Sequence, residues 1–177
     1  MAIFDLQADR CQQTFAIDRD SAVHFINAAA ATPSITKFLL VSYVASRRAR
    51  PSWWDDAAWD SALHVNNNIL STYYQAKIVA DEALYEASKK RSSFVGIDLR
   101  PGTLTDDPAG NVELGKTKDS RGKVGRETVA KVAALLLESE GVKNTWLDLL
   151  DGSEDPGVAV KRVVRDGVNA AEGEPVF

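Results

Sequence analysis

Three short apolar runs constrain the fold of this chain more than any other feature of its sequence. They cover residues 37–42, 94–99 and 145–150, and turn-forming or polar residues lie close to each of them. A continuous run of this length is typical of a strand that is buried on both faces, as in a parallel sheet. We therefore predict three buried β-strands at these positions.

Segments with helical periodicity separate these strands. Apolar residues recur at helical spacing over residues 22–32, 66–90, 129–137 and 156–164, and we expect the polar residues 18–21 to cap the first helix. Strands that alternate with helices form right-handed βαβ units, so the pattern predicts an α/β fold in which helices cover a parallel sheet. Ligands bind such folds beyond the carboxyl ends of the strands. The residues directly after each strand are therefore the ones to inspect for function.

Size and composition restrict the function classes. The chain has 177 residues and a formal net charge of −4, so we expect one domain, residues 1–177, without overall attraction for nucleic acid or an anionic membrane. Cys11 is the only cysteine, and the two histidines are too few to complete a zinc site with it, so we expect no metal. No run approaches the roughly 20 apolar residues of a membrane span, and residues 1–5 lack the features of a signal peptide. We expect a cytoplasmic protein with a loosely ordered tail at residues 170–177.

A tyrosine and a lysine four residues apart form the best candidate for chemistry. Tyr73 and Lys77 are neighbours on one face of the predicted second helix, at the edge of its apolar stripe. An adjacent ammonium lowers the pKa of a phenol, which suits a general acid or base. Ser42, at the end of the preceding strand, is placed to hydrogen-bond the same substrate oxygen. The alternative is a purely structural pair, with Tyr73 at the core edge and the stem of Lys77 covering it.

The order of these motifs resembles the short-chain dehydrogenase/reductase superfamily, and most closely its atypical branch of small NAD(P)-binding proteins. A serine ends one strand, Tyr73 and Lys77 follow on the next helix, and Arg100-Pro101-Gly102 follows the next strand. The supporting stretches are IDRDSA (17–22), KFLLVS (37–42), LRPGTL (99–104) and GRETVA (125–130).

The resemblance implies a role for each candidate residue. Tyr73 would donate or accept the proton, and Lys77 would hold the nicotinamide ribose and lower the pKa of Tyr73. Ser42 would orient the substrate carbonyl, with Ser46 as the alternative. The turn formed by Pro101, Gly102 and Thr103 would line the nicotinamide pocket, and the cofactor would be NAD or NADP. At the position of the family's helix asparagine this sequence has Asp18.

The glycine pattern departs from that family. A dinucleotide fold opens with a strand, a glycine-rich turn and a helix whose N-terminus binds the pyrophosphate. The first glycine of this chain is Gly96, and the pair Gly122 and Gly125 follows no predicted strand. The resemblance therefore implies an incomplete, three-layer Rossmann-like sheet with about three of the usual seven strands. The uncovered edge near residues 37–42 predicts self-association.

Two function classes remain open from the sequence. The first is an NAD(P)-dependent oxidoreductase acting on a small carbonyl or alcohol, impaired by the missing phosphate loop. The second is an NAD(P)-sensing or interaction module without turnover, or a fragment without independent function. The basic residues of the segment 116–126 would contact a cofactor phosphate or an acidic substrate in the functional interpretation, and would be solvated loop residues in the structural one.

Overall fold

A mostly parallel sheet forms the centre of the computed structural model, which describes residues 11–177. The strands are β1 (Lys37–Val41), β2 (Val95–Pro101), β3 (Thr103–Thr105), β4 (Val112–Gly115), β5 (Lys123–Gly125) and β6 (Thr145–Asp151). The α-helices are α1 (Ala22–Ala31), α2 (Asp56–His64), α3 (Ser71–Lys90), α4 (Arg126–Glu138) and α5 (Pro156–Asp166). Two π-helical segments, Phe15–Ser21 and Val65–Ile69, lead into α1 and continue α2. Residues 1–5, where the sequence predicts no signal peptide, lie outside the described residues.

The three predicted strands pair side by side in parallel. The strand order in the main sheet is β1, β2, β6, β4, and Leu39 of β1 aligns with Ile97 of β2, which aligns with Thr145 of β6. The predicted α/β fold with a parallel sheet is thereby confirmed. The fourth strand, β4, is antiparallel to β6 and closes that side of the sheet, and β3 and β5 form a separate two-stranded parallel sheet. Within residues 11–177, no strand pairs with the outer edge of β1.

Side chains alternate along each strand and so project from both faces of the sheet, and helices cover both faces. Leu99 and Leu147 face one layer, where they pack in a core shared with α4 and α5. On the other face, Trp146 packs in a cluster with side chains of α3. Gly96 permits the close approach of α3, since a Cβ atom there would lie 2.9 Å from the Leu84 side chain. The result is the expected three-layer arrangement.

The beginning of the first helix differs from the prediction. Residues 18–21 do not cap α1 but lie inside the π-helical turn that precedes it. Ser21 donates its hydroxyl hydrogen to the carbonyl of Ala16 at 2.8 Å, so it bonds back along the helix instead of capping the next turn. The helix ends as expected, with an extended Thr32 before Pro33.

The C-terminal segment also differs from the prediction. Residues 170–177 are not a loose tail: Ala170 and Ala171 are fully buried, and Ala170 N–H donates to the Trp146 carbonyl at 2.8 Å. Glu174 is buried as well and accepts hydrogen bonds from the backbone of the loop after β1. This segment packs because the small side chains of Ala170 and Ala171 fit against Trp146. In addition, Arg47 provides a charge partner for Glu174. None of the described helices is long and apolar enough to cross a membrane.

Candidate functional site

A cavity of about 270 Å³ opens at the carboxyl ends of β1 and β2, where ligands bind α/β sheets. The loop after β1, the start of α3, the turn after β2 and the segment before β5 form its walls. The lining residues are Tyr43, Val44, Ala45, Ser61, Ala62, Val65, Leu70, Tyr73, Pro101, Gly102, Thr103, Ser120, Arg121 and Gly122. The structure thus brings Tyr73 and the turn after β2 into one site.

Tyr73 forms part of the cavity wall from the first turn of α3. Its ring lies against that of Tyr43, with 5.3 Å between the ring centroids. Burial, followed by the nearby carboxylates of Asp18, Asp81 and Asp98, raises the pKa of Tyr73 to about 12. The sequence led us to expect a lowered pKa, which is not what this structure shows. At neutral pH the phenol therefore keeps its proton.

Lys77 lies one helical turn beyond Tyr73, beneath the cavity. Its side chain is almost completely buried, and its ammonium donates a hydrogen bond of 2.8 Å to the carbonyl of Val41, the last residue of β1. A lysine ammonium carries three N–H donors. Within residues 11–177 the Val41 carbonyl accepts one of them, and Lys77 is not among the residues that line the cavity.

Ser42 and Ser46 do not join Tyr73. Both hydroxyl groups donate to the same oxygen of Asp81, at 2.8 Å and 2.6 Å, and both side chains are buried. The alternation of side chains after β1 turns Ser42 toward α3 and leaves the next residue, Tyr43, on the cavity wall. The structure therefore offers Ser42 no direct access to a substrate oxygen beside Tyr73.

The sequence analysis did not single out Tyr43, which lines that side of the cavity, or its hydrogen-bond partner Asn66. The hydroxyl of Tyr43 donates to the side-chain oxygen of Asn66 at 2.7 Å, and the Asn66 amide donates to the Ala45 carbonyl at 2.7 Å. Asn66 is buried within the π-helical segment after α2. Nothing in the spacing of the sequence indicates this contact, because the two residues belong to different elements, the loop after β1 and the π-helical segment after α2.

The turn after β2 lines the cavity with Pro101, Gly102 and Thr103, the residues predicted for the nicotinamide pocket. A Cβ atom at Gly102 would lie 2.5 Å from the Leu150 side chain and 2.6 Å from the Gly122 carbonyl oxygen. Only glycine fits this crossing of three chain segments. The turn is therefore held in place by close packing.

A buried charge network lies beneath the site. Arg100 donates to Asp98 at 2.9 Å and to Asp81 at 3.2 Å. One guanidinium nitrogen of Arg47 donates to both carboxylate oxygens of Asp148, at 2.9 and 2.7 Å. Burial, followed by the nearby Asp81 carboxylate, raises the pKa of Asp98 to about 8. One carboxyl group of the network therefore keeps a proton at neutral pH. Arg47 belongs to this buried core.

The basic segment 116–126 and the glycine pair within it form no anion site in the described residues. Each of four basic side chains has a carboxylate partner; the pairs are Lys116–Glu172, Arg121–Asp119, Lys123–Asp107 and Arg126–Asp106. A Cβ atom at Gly125 would lie 2.6 Å from the Asp107 carbonyl oxygen, so residues 106–110 cover the start of α4. Within residues 11–177, Gly125 at the start of α4 is therefore covered and provides no cradle for a pyrophosphate. The described residues also contain no group of three or more potential metal ligands.

Comparisons with known proteins agree with the fold and with the cofactor class. Residues 3–140 match the family model described as NAD(P)H-binding. The uncharacterized sugar epimerase YhfK from Bacillus subtilis (strain 168) is 31% identical over 152 residues, which cover 85% of this chain and 61% of that protein.

Solved structures show the same fold. A candidate NAD-dependent epimerase/dehydratase from Bacillus halodurans superposes with a TM-score of 0.67 at 24% identity, over 86% of this chain and 63% of that one. The oxidoreductase ylbE from Lactococcus lactis superposes with a TM-score of 0.65 at 22% identity, over 86% and 62%. The chain thus spans a little over three fifths of the length of these proteins. NAD or NADP, the cofactor class expected from the sequence, is the ligand class of the family, and the chain belongs to the NAD(P)H-binding family of Rossmann-like proteins.

Proposed function

We propose that this chain carries the substrate side of an NAD(P)-dependent oxidoreductase of the short-chain dehydrogenase/reductase type, acting on a small carbonyl or alcohol. The observation that carries the proposal is one cavity shared by Tyr73 and the turn Pro101, Gly102 and Thr103, with Lys77 one helical turn below. The Bacillus subtilis relative is named as a sugar epimerase, and a sugar is an alcohol-bearing substrate, in keeping with this class.

The protonation state of Tyr73 favours the direction of carbonyl reduction. A reduced nicotinamide, when bound, would supply a hydride to the carbonyl carbon. Tyr73 holds its proton well above neutral pH and donates it to the carbonyl oxygen, which yields the alcohol and leaves a phenolate. The proposed role of Lys77, one helical turn further along α3, is to bind a ribose hydroxyl with the N–H donors that the Val41 carbonyl does not use.

A second candidate function has a specific observation in its favour. Ser42, the group expected to orient the carbonyl, is engaged by Asp81, and the pKa of Tyr73 is raised instead of lowered. A nucleotide-binding module without turnover would need neither group in a reactive state. Turnover is therefore the property that separates the two candidates.

The test is reduction of a panel of small aldehydes, ketones and keto sugars by the full chain, with reduced nicotinamide mononucleotide as the hydride source. This half-cofactor needs no pyrophosphate cradle. We expect Tyr73→Phe to lower turnover at least about a hundredfold, because general acid catalysis contributes 10²–10⁴-fold. Tyr74→Phe is the matched control, since the Tyr74 hydroxyl donates to the Arg47 carbonyl outside the cavity. No turnover by the parent chain would favour the binding module, and turnover unchanged in Tyr73→Phe would refute the acid role.

A further inference from the structure

Asp81 is a common hydrogen-bond acceptor for the segments that end in the cavity wall. It is fully buried in α3, one turn beyond Lys77, and its Oδ2 atom accepts from Ser42, Ser46 and Arg100. The distances are 2.8, 2.6 and 3.2 Å. All three donors come from the segments that end in the cavity wall, the loop after β1 and the end of β2.

These contacts fix the loop on both sides of Tyr43. Backbone hydrogen bonds attach Ser42 to the carbonyl of Leu99 and Val44 to that of Pro101, at 2.8 and 3.0 Å. The hydroxyl groups of Ser42 and Ser46 also bond to Asp81, so side-chain hydrogen bonds fix the loop on both sides of Tyr43. Tyr43 therefore has little freedom to leave its place against the ring of Tyr73.

A buried carboxylate is a poor means of stabilising a fold. Removing such a charge from water costs several kcal/mol, and well-packed apolar groups in its place are often as stable or more so. Arg100 forms an ion pair with Asp81, and the nearby ammonium of Lys77 also stabilises the Asp81 carboxylate electrostatically. Both residues belong to the same site. What the carboxylate provides is a common acceptor that an apolar side chain would not supply.

We propose that Asp81 is a positioning residue of the candidate site, which holds the loop at residues 42–46 so that Tyr43 stays against Tyr73 and both serine hydroxyls stay out of the cavity. The inference rests on the proposed function only for the role of Tyr73 as the proton-transfer group. The geometry itself is testable without turnover.

The experiment compares the full chain with Asp81→Ala and Asp81→Asn by NMR, using labelled aromatic side chains. The reporter is the set of cross-peaks between the rings of Tyr43 and Tyr73. An internal control for folding is the edge-to-face pair of Tyr85 and Trp146, whose ring centroids lie 6.3 Å apart at the other end of α3. We expect Asp81→Ala to lose the Tyr43–Tyr73 cross-peaks and to keep those of the control pair.

A second readout tests whether the charge of Asp81 acts on Tyr73 in the folded chain. The carboxylate of Asp81 raises the pKa of Tyr73, so Asp81→Asn should show more Tyr73 phenolate than the parent chain at about pH 11. Glu82→Gln is the matched variant, because it removes a neighbouring carboxylate that pairs with Arg48 outside the network, and it should leave Tyr73 unchanged.

Retention of the Tyr43–Tyr73 cross-peaks in folded Asp81→Ala, with unchanged Tyr73 titration in Asp81→Asn, overturns the inference. If Asp81→Ala does not fold, Ser42→Ala/Ser46→Ala removes the same two attachments: lost cross-peaks support the inference and retained ones overturn it. A chain that loses the ring contact as expected but has no reductase activity contradicts the proposed function and leaves the positioning role supported.

Discussion

Replacing Asp98 by asparagine should change how the stability of the fold depends on pH. Asp98 is buried, and its folded-state pKa is about 8 against an ordinary value of 3.8. Between these two values the folded chain binds one proton that the unfolded chain has released, so the free energy of unfolding falls as pH rises. The slope for one proton is about 1.4 kcal/mol per pH unit, or ~3 kcal/mol between about pH 5 and pH 7.

The asparagine variant lacks this proton. Its side chain has the shape of the protonated acid, and its amide is neutral throughout the range. We expect the dependence of stability on pH in Asp98→Asn to be weaker than in the parent chain by about that slope. Urea unfolding followed by tryptophan fluorescence at several pH values measures both. Asp107→Asn is the control, because Asp107 is exposed and its pKa is lowered by Lys123, so it should leave the slope above about pH 5 unchanged. Equal slopes for the parent and Asp98→Asn would refute the assignment of the buried proton to Asp98.

Three further predictions follow from the packing and from the edges of the site. Gly102→Ala should destabilise the chain by about 1–3 kcal/mol in urea unfolding, because its Cβ atom would overlap Leu150, whereas exposed Gly110→Ala, with no atom within 4 Å of its Cβ position, should change stability little. The chain should self-associate through the outer edge of β1, and sedimentation should show less association in Val41→Lys than in the parent; a monomeric parent would contradict this. Because residues 11–177 contain no pyrophosphate cradle, calorimetry should show that NADH binds only weakly. A micromolar dissociation constant would contradict that inference.

Periodicity predicted the fold because burial determines it. Continuous apolar runs predicted the positions of β1, β2 and β6, and β2 and β6 are buried as expected. The prediction of a buried strand was wrong for β1, which is only partly buried because no described strand pairs with its outer edge. The antiparallel pairing of β4, by contrast, depends on where a polar loop returns to the sheet. No local pattern encodes this return. The packing of residues 170–177 was missed for a related reason, since the contacts of Ala170 and Glu174 are with residues far away in the sequence.

The candidate site was predictable where it depends on spacing along one element. Tyr73 and Lys77 are four residues apart on a helix, and the turn at Gly102 follows a strand, so both positions could be read from the chain. The partner of Ser42 could not, because Asp81 approaches it from another element. The expected lowering of the Tyr73 pKa was wrong because burial and the nearby carboxylates raise it.

Titration of the full chain with nicotinamide mononucleotide, followed through the NMR signals of the four tyrosine rings, tests the central claim most directly. Tyr43 and Tyr73 line the cavity, whereas Tyr85 packs in the core at the far end of α3. If the nicotinamide end of the cofactor binds at the carboxyl ends of β1 and β2, the ligand shifts the signals of Tyr43 and Tyr73 and leaves that of Tyr85 in place. Saturable binding that leaves the Tyr43 and Tyr73 signals unmoved, or no binding at all, would contradict the account.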